Sequence, residues 1–181
     1  MPTLREKAGD QIDAILKKYP TRRSAVLPLC YLAQEEYGYM SPEAVREVAE
    51  ILDLDPTEVQ GLVGFYTLLR EAPTGEYVIE ICNDLPCALR GADEFVAHVC
   101  HRLGVDVGET TNDGLFTVQT VMCVAACDRA PVAQINLEYC EHLDPAKFDA
   151  LLEKLKHAAI SRREETNADE ETPSPARPGR T

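Results

Sequence analysis

Residues 75–91 read GEYVIEICNDLPCALRG. Apolar and β-branched side chains alternate through Tyr77-Val78-Ile79-Glu80-Ile81, the period-2 pattern of a strand, and the run ends on a cysteine, Cys82. A second cysteine, Cys87, comes after four intervening residues. A strand end fixes one side chain in place, and the adaptable segment after it can turn a second one back toward the first. The C-terminal part of the chain is therefore predicted to be built around a strand whose last residue carries chemistry.

Downstream, Leu89 to Leu103 returns to helical spacing with Phe95, Val99 and Leu103 on one face. A polar stretch through Asn112-Asp113-Gly114 supplies turn residues before LFTVQTVM at 115–122, a second alternating run. It leads into a second cysteine pair, Cys123-x3-Cys127, which again comes after a strand. VAQIN at 132–136 and a short strand near Tyr139 suggest a closing hairpin. Asp144-Pro145 then opens a helix carrying Phe148, Leu151, Leu152 and Leu155. Strand, helix, strand, hairpin and helix make an α+β unit of thioredoxin-like order over residues 75–160.

Upstream, four helices are predicted. Residues 3–18 place Leu4, Ile12 and Leu16 at helical spacing, and SAVLPLCYLAQEEYG resumes the pattern, with Pro28 tolerable only near the first turn. Ser41-Pro42-Glu43 is an N-cap followed by proline at the first helical position, leading into Val45, Val48, Ala49 and Leu52. Asp55-Pro56-Thr57-Glu58 repeats the device, with Glu58 placed to complete a capping box and the helix expected to run toward Arg70. APTG at 72–75 ends the series, so residues 1–74 are expected to form an N-terminal four-helix bundle. From Ser161 the composition turns to Glu, Thr, Pro, Ser and Arg without apolar periodicity, and residues 161–181 are expected to be a disordered tail.

The chain has 181 residues, 18 Lys and Arg against 31 Asp and Glu, and a formal charge of −13. That balance excludes a phosphate-neutralising nucleic-acid surface and suits protein partners. The opening residues show neither an apolar signal core nor an acid-poor, Arg-rich transit segment, and no apolar run approaches the length of a membrane span. A cytoplasmic chain with no membrane insertion of its own is the expectation.

Seven cysteines in a reducing compartment, an odd number, point to metal ligation ahead of a disulfide framework. The candidate ligands are Cys82, Cys87, Cys123 and Cys127. A binuclear iron–sulfur cluster takes four thiolates, two at each iron, and two separated pairs supply them. A structural zinc site could use the same residues, although zinc knuckles favour C-x2-C, so spacing alone leaves it open. A thiol–disulfide oxidoreductase requires a C-x2-C motif, which is absent. Cys30 and Cys100 lie in amphipathic helices and read as small buried hydrophobes, Cys140 lies next to the closing hairpin and reads as a non-ligand, and His98 and His101 read as surface residues. No G-x-G-x-x-G, P-loop or nucleophile–base pattern marks an NADH, flavin or catalytic site on this chain, so no catalytic residue is expected.

Four stretches carry a family resemblance: RRSAVLPLCYLAQEEYGYMSPE at 22–43, DPTEVQGLVGFYTLL at 55–69, ICNDLPCALRGA at 81–92 and DGLFTVQTVMCVAACDRAPVAQIN at 113–136. Over residues 10 to about 157 the chain resembles the small thioredoxin-like [2Fe–2S] subunits of respiratory NADH:quinone oxidoreductase, complex I. The resemblance implies one [2Fe–2S] cluster, with Cys82 and Cys87 on one iron and Cys123 and Cys127 on the other. It also implies a one-electron relay docked beside a partner subunit that binds FMN and NADH, next to an adjoining iron–sulfur subunit. The expected location is peripheral, on the cytoplasmic side of the inner membrane. Equivalent diaphorase subunits of NAD-linked hydrogenases or formate dehydrogenases are the alternative assembly. Family members often carry Glu before the third cysteine and Gly inside the C-x3-C, where this chain has Met122 and Ala125. If position 125 is left-handed, alanine there costs roughly 1–2 kcal/mol relative to glycine. The absence of a carboxylate at 122, beside an anionic cluster, would ease reduction.

Overall fold

In a computed structural model of the chain, residues 2–170 are described, and they fall into two compact units divided between Thr74 and Gly75.

The first unit holds helices α1 (Leu4–Lys18), α2 (Val26–Tyr37), α3 (Pro42–Leu52) and α4 (Pro56–Phe65), with a 3-10 turn at Arg22–Ala25. Thr3 starts α1 with a full capping box: its hydroxyl accepts from the Glu6 N–H, and the Glu6 carboxylate accepts from the Thr3 N–H at 2.7 Å. Pro28 is the third residue of α2, inside the first turn, where its missing N–H has no intrahelical acceptor to lose. Ser41 caps α3, its hydroxyl accepting from the Ala44 N–H at 3.1 Å. The apolar stripes of these helices meet in one core centred on Leu4, Ile12, Leu29, Val48, Leu52 and Val59, each 1% exposed or less.

α4 departs from expectation at both ends. Asp55 caps it through the Thr57 N–H at 2.8 Å, and Glu58 pairs with Arg23 rather than completing a capping box. The helix stops at Phe65, well short of Arg70, because Tyr66 turns extended and the Leu69 N–H closes a turn on the Tyr66 carbonyl. The aromatic and β-branched run Phe65-Tyr66-Thr67 has weak helix propensity.

The second unit is a four-stranded sheet in the order β2-β1-β3-β4, with β1 (Tyr77–Cys82), β2 (Phe116–Val121), β3 (Ala133–Ile135) and β4 (Glu138–Cys140). β1 and β2 are parallel and the other two pairings antiparallel. As the inner partner of both β2 and β3, β1 is buried along its whole length, so its sequence alternation does not appear as an exposed face. Between β1 and β2 come α5 (Leu85–Ala88) and α6 (Ala92–Leu103); the helix expected from Leu89 therefore begins later, after a left-handed Gly91. Phe95 and Val99 of α6 and Phe148 and Leu152 of α7 (Pro145–Glu170) fill the core with the strands. Gly75 leads into β1 against the start of β2: a Cβ there would lie 2.8 Å from the Phe116 backbone nitrogen and 2.9 Å from the Leu115 carbonyl. Its N–H donates to the Thr117 hydroxyl at 2.6 Å.

The β3–β4 turn uses Asn136 and Leu137, both left-handed (φ 48° and 72°), as a type I′ hairpin requires. Residues 161–170, the first part of the expected tail, continue α7. Extending a formed helix through Arg- and Glu-rich sequence is a matter of propagation alone, and Arg162 is tied to Glu76 at 2.6 Å and to the Tyr77 hydroxyl. The remainder of that expected tail, 171–181, lies outside the described residues. Among the described residues no helix is long and apolar enough to cross a membrane.

Candidate metal centre

Parallel pairing decides where the cysteines go. β1 and β2 run in the same direction with Cys82 opposite Val121, so their C-terminal ends share one edge of the sheet. Cys82 is the last residue of β1, and Cys123 lies two residues beyond the end of β2. The edge is closed by the Asn83 N–H on the Val121 carbonyl and the Cys82 N–H on the Val132 carbonyl, each at 3.1 Å.

Cys87 is brought back by α5, a helical turn where sequence reasoning placed a loop. The Asp84 carboxylate caps it by accepting from the Leu85 N–H at 2.9 Å, and Pro86 sits in its first turn. Asp with Pro two residues later is a helix-start signal, and it stands in the sequence between the two cysteines. Cys127 opens a 3-10 turn, Cys127–Arg129. Between the second pair, Ala125 is left-handed with φ 57°, and its N–H donates to the Cys123 sulfur at 3.4 Å.

The two pairs differ in environment. Cys82 and Cys87 are buried, at 1% and 0% exposure, in a small apolar cluster with Ala92, Ala126, Ala130 and Val132. Cys123 is exposed and Cys127 half-buried. Burial pushes the Cys87 thiol up to about 11, the neighbouring Cys82 and then Cys127 push the same way, and the Val132 N–H opposes them. Burial also raises Cys127, with Cys123, Cys82 and Asp84 adding to it. The sulfurs of Cys82 and Cys87 are thus mutual neighbours, as are those of Cys123 and Cys127, and the two pairs feel one another.

This donor set fits a binuclear cluster. Its composition is the one a [2Fe–2S] centre takes, two thiolates for each iron. The Ala125 N–H on sulfur is the kind of donor that an anionic cluster needs. Met122, 75% exposed, faces water, where solvent would screen any charge placed at that position.

The other candidates stay apart. Cys30 is fully buried in the first unit, and Cys100 on α6 and Cys140 in β4 pack against the core of the second. His98 is half-buried and bonds Asp149 at 3.1 Å, and His101 is exposed. Sequence reasoning missed Tyr139, whose hydroxyl donates to the Val124 carbonyl at 2.7 Å inside the C-x3-C loop. Nothing local signals a bond reaching across fifteen residues.

A family model described as thioredoxin-like [2Fe-2S] ferredoxin matches residues 12–156. The chain is 40% identical over 149 residues to a subunit of the NADH-quinone oxidoreductase of Rhizobium meliloti, covering 82% of this chain and 89% of that protein. It is 41% identical over 150 residues to NADH-quinone oxidoreductase subunit 2 of Thermus thermophilus, covering 81% and 83%. Among solved structures it is similar to the NAD+-reducing [NiFe]-hydrogenase in the air-oxidized state, with a TM-score of 0.63 and 25% identity over 72% of this chain and 23% of that one. With the matched region spanning both cysteine pairs and the sheet that presents them, the chain belongs to the thioredoxin-like [2Fe-2S] ferredoxin family, whose cofactor is a [2Fe–2S] cluster.

Proposed function

We propose that this chain is the electron-transfer subunit of an NADH:quinone oxidoreductase and that Cys82, Cys87, Cys123 and Cys127 hold its [2Fe–2S] cluster. The observation that carries the proposal is the convergence of two thiol pairs at the common edge of β1 and β2, in a chain 40% identical to a protein named as a subunit of that complex.

When bound, the cluster would supply a site that takes and returns one electron at a time, the hydride step remaining with a flavin and NADH on a partner subunit. The chain's own residues do the rest. Binding iron would release the proton of each thiol to solvent, which for Cys87 and Cys127 means working against the push of burial. The apolar wall around Cys82 and Cys87 keeps water from one side of the site, and the Ala125 N–H places a positive dipole end on Cys123. The exposed second pair supports electron exchange from that side. In this proposal residues 1–74 are a four-helix bundle domain, 75–160 the thioredoxin-like cluster domain, and the residues after 160 a tail. The partners are the flavin- and NADH-binding subunit and the adjoining iron–sulfur subunit, and the assembly is peripheral on the cytoplasmic side of the membrane.

A second assembly is favoured by one observation, the structural likeness to an NAD+-reducing [NiFe]-hydrogenase. Co-purification with membrane-arm subunits separates it from the first. The chemistry is tested on anaerobically prepared full chain by metal assay, visible absorption and EPR after dithionite. About two irons per chain and a reduced S = 1/2 signal are expected; zinc without iron would overturn the proposal.

A further inference from the structure

One peptide unit in the C-x3-C loop has both of its polar ends engaged. Its carbonyl, on Val124, accepts the Tyr139 hydroxyl at 2.7 Å, and its N–H, on Ala125, donates to the Cys123 sulfur at 3.4 Å. In a trans peptide the C=O and N–H point in opposite directions. Whatever holds the carbonyl toward β4 therefore aims the N–H at the sulfur. The same unit is under strain, because Ala125 sits at φ 57°, a region that an L-residue with a Cβ disfavours. Rotating the unit about its long axis would return Ala125 to negative φ and turn the N–H away from Cys123.

We infer that Tyr139 is a positioning residue for the iron–sulfur site: its hydroxyl holds the Val124–Ala125 peptide against the strain at Ala125 and so keeps the Ala125 N–H directed at the Cys123 sulfur. The inference rests on the assignment of Cys123 as a ligand. Tyr139 never touches the cluster in this scheme. The rest of its segment is fastened to the same loop: Arg129 pairs with Glu141 at 2.5 Å, the His142 N–H donates to the Arg129 carbonyl at 2.8 Å, and the Leu143 N–H to the Pro131 carbonyl at 2.9 Å. The hydroxyl can therefore be removed while the segment stays in place. An N–H directed at sulfur favours the more negative, reduced state, so its loss makes reduction harder.

The test uses the full chain carrying its cluster, as wild type, Tyr139→Phe, Ala125→Gly and the double variant. Tyr139→Phe is expected to melt with the wild-type protein when iron-free, to lose iron to a chelator roughly two- to tenfold faster, the factor worth one net hydrogen bond, and to shift the midpoint potential downward with altered EPR g-values. In the Ala125→Gly background the same change is expected to have a smaller effect, because glycine accepts the left-handed conformation without strain. That coupling is a signature a merely structural role would not produce. Wild-type g-values, potential and iron loss in Tyr139→Phe would overturn the inference while leaving the ligands intact. A wild-type chain without iron would overturn the ligand assignment, and the inference with it.

Discussion

The two cysteine pairs proposed to hold the cluster stand on opposite kinds of scaffold. Cys82 and Cys87 belong to the core: one ends an inner strand, the other sits on a capped helical turn, and neither is more than 1% exposed. Cys123 and Cys127 lie on a surface loop that contains a strained alanine and takes its support from β4 and the segment after it. The first pair is held by the fold itself, and the second by a few identifiable bonds. On the proposed assignment, burial makes one half of the site closely packed and dry, while the other half stands open to solvent and to adjustment.

The largest effect should come from the ligands. Cys87→Ser is expected to reduce bound iron to background, because a buried serine cannot shift to the shorter reach of its oxygen within close-packed surroundings. Cys123→Ser, on an exposed loop free to adjust, is expected to retain a measurable share. Iron assays on the two variants check this, and equal loss would end the distinction between rigid and adaptable halves.

Next is Gly75→Ala, which attacks the strand pairing that unites the halves. A methyl group 2.8 Å from the Phe116 nitrogen must push β1 and β2 apart, at a cost of about 2–3 kcal/mol in unfolding free energy measured with denaturant. Iron content should fall for both pairs together.

Cys30 offers a contrast with Cys87, since burial raises both thiols to about 11 and only one is assigned to iron. The folded value of Cys30 lies above the ordinary value of 9.0, so its contribution to stability is complete below pH 9 and is lost as pH rises through 11. Alkaline unfolding curves should show an extra loss of roughly 2–3 kcal/mol over that window in wild type relative to Cys30→Ala, with iron content at neutral pH unchanged.

The smallest effect is expected for Ala125→Gly, which removes the left-handed strain at the cost of a looser unfolded chain. A net gain of roughly 0.5–1 kcal/mol should appear in thermal melts of the iron-loaded protein. A loss there would mean that Ala125 makes packing contacts that outweigh its backbone.

How much of this was legible in the sequence depends on the range of each interaction. The alternation at 77–82 and 115–122 and the Ser-Pro and Asp-Pro starts at 41–42 and 55–56 are local signals, and strands and helices stand where those signals place them. The cysteine pairs are visible as spacing, and the glycine that the family resemblance leads one to expect inside the C-x3-C anticipates the left-handed Ala125. What spacing did not reveal is which pair lies in the core, because that depends on β1 being an inner strand rather than an edge. The end of α4 at Phe65, the continuation of α7 through residues 161–170 and the Tyr139 bond all depend on partners far along the chain, beyond the range of any periodicity.

The parallel register of β1 and β2 also bears on the order of assembly. Parallel strands cannot be joined by a tight turn, and here the connection spans residues 83–115 before Cys82 and Val121 come to the same level. A contact separated by that much chain has a loop-closure cost to meet before it forms, and it is expected to form late. While the chain is being synthesised, the first thiol pair emerges well before the second and has no partners to share a metal with. If the four cysteines hold the cluster as proposed, loading of iron and sulfide waits on completion of the crossover, and a chain ending before residue 123 carries at most half a site.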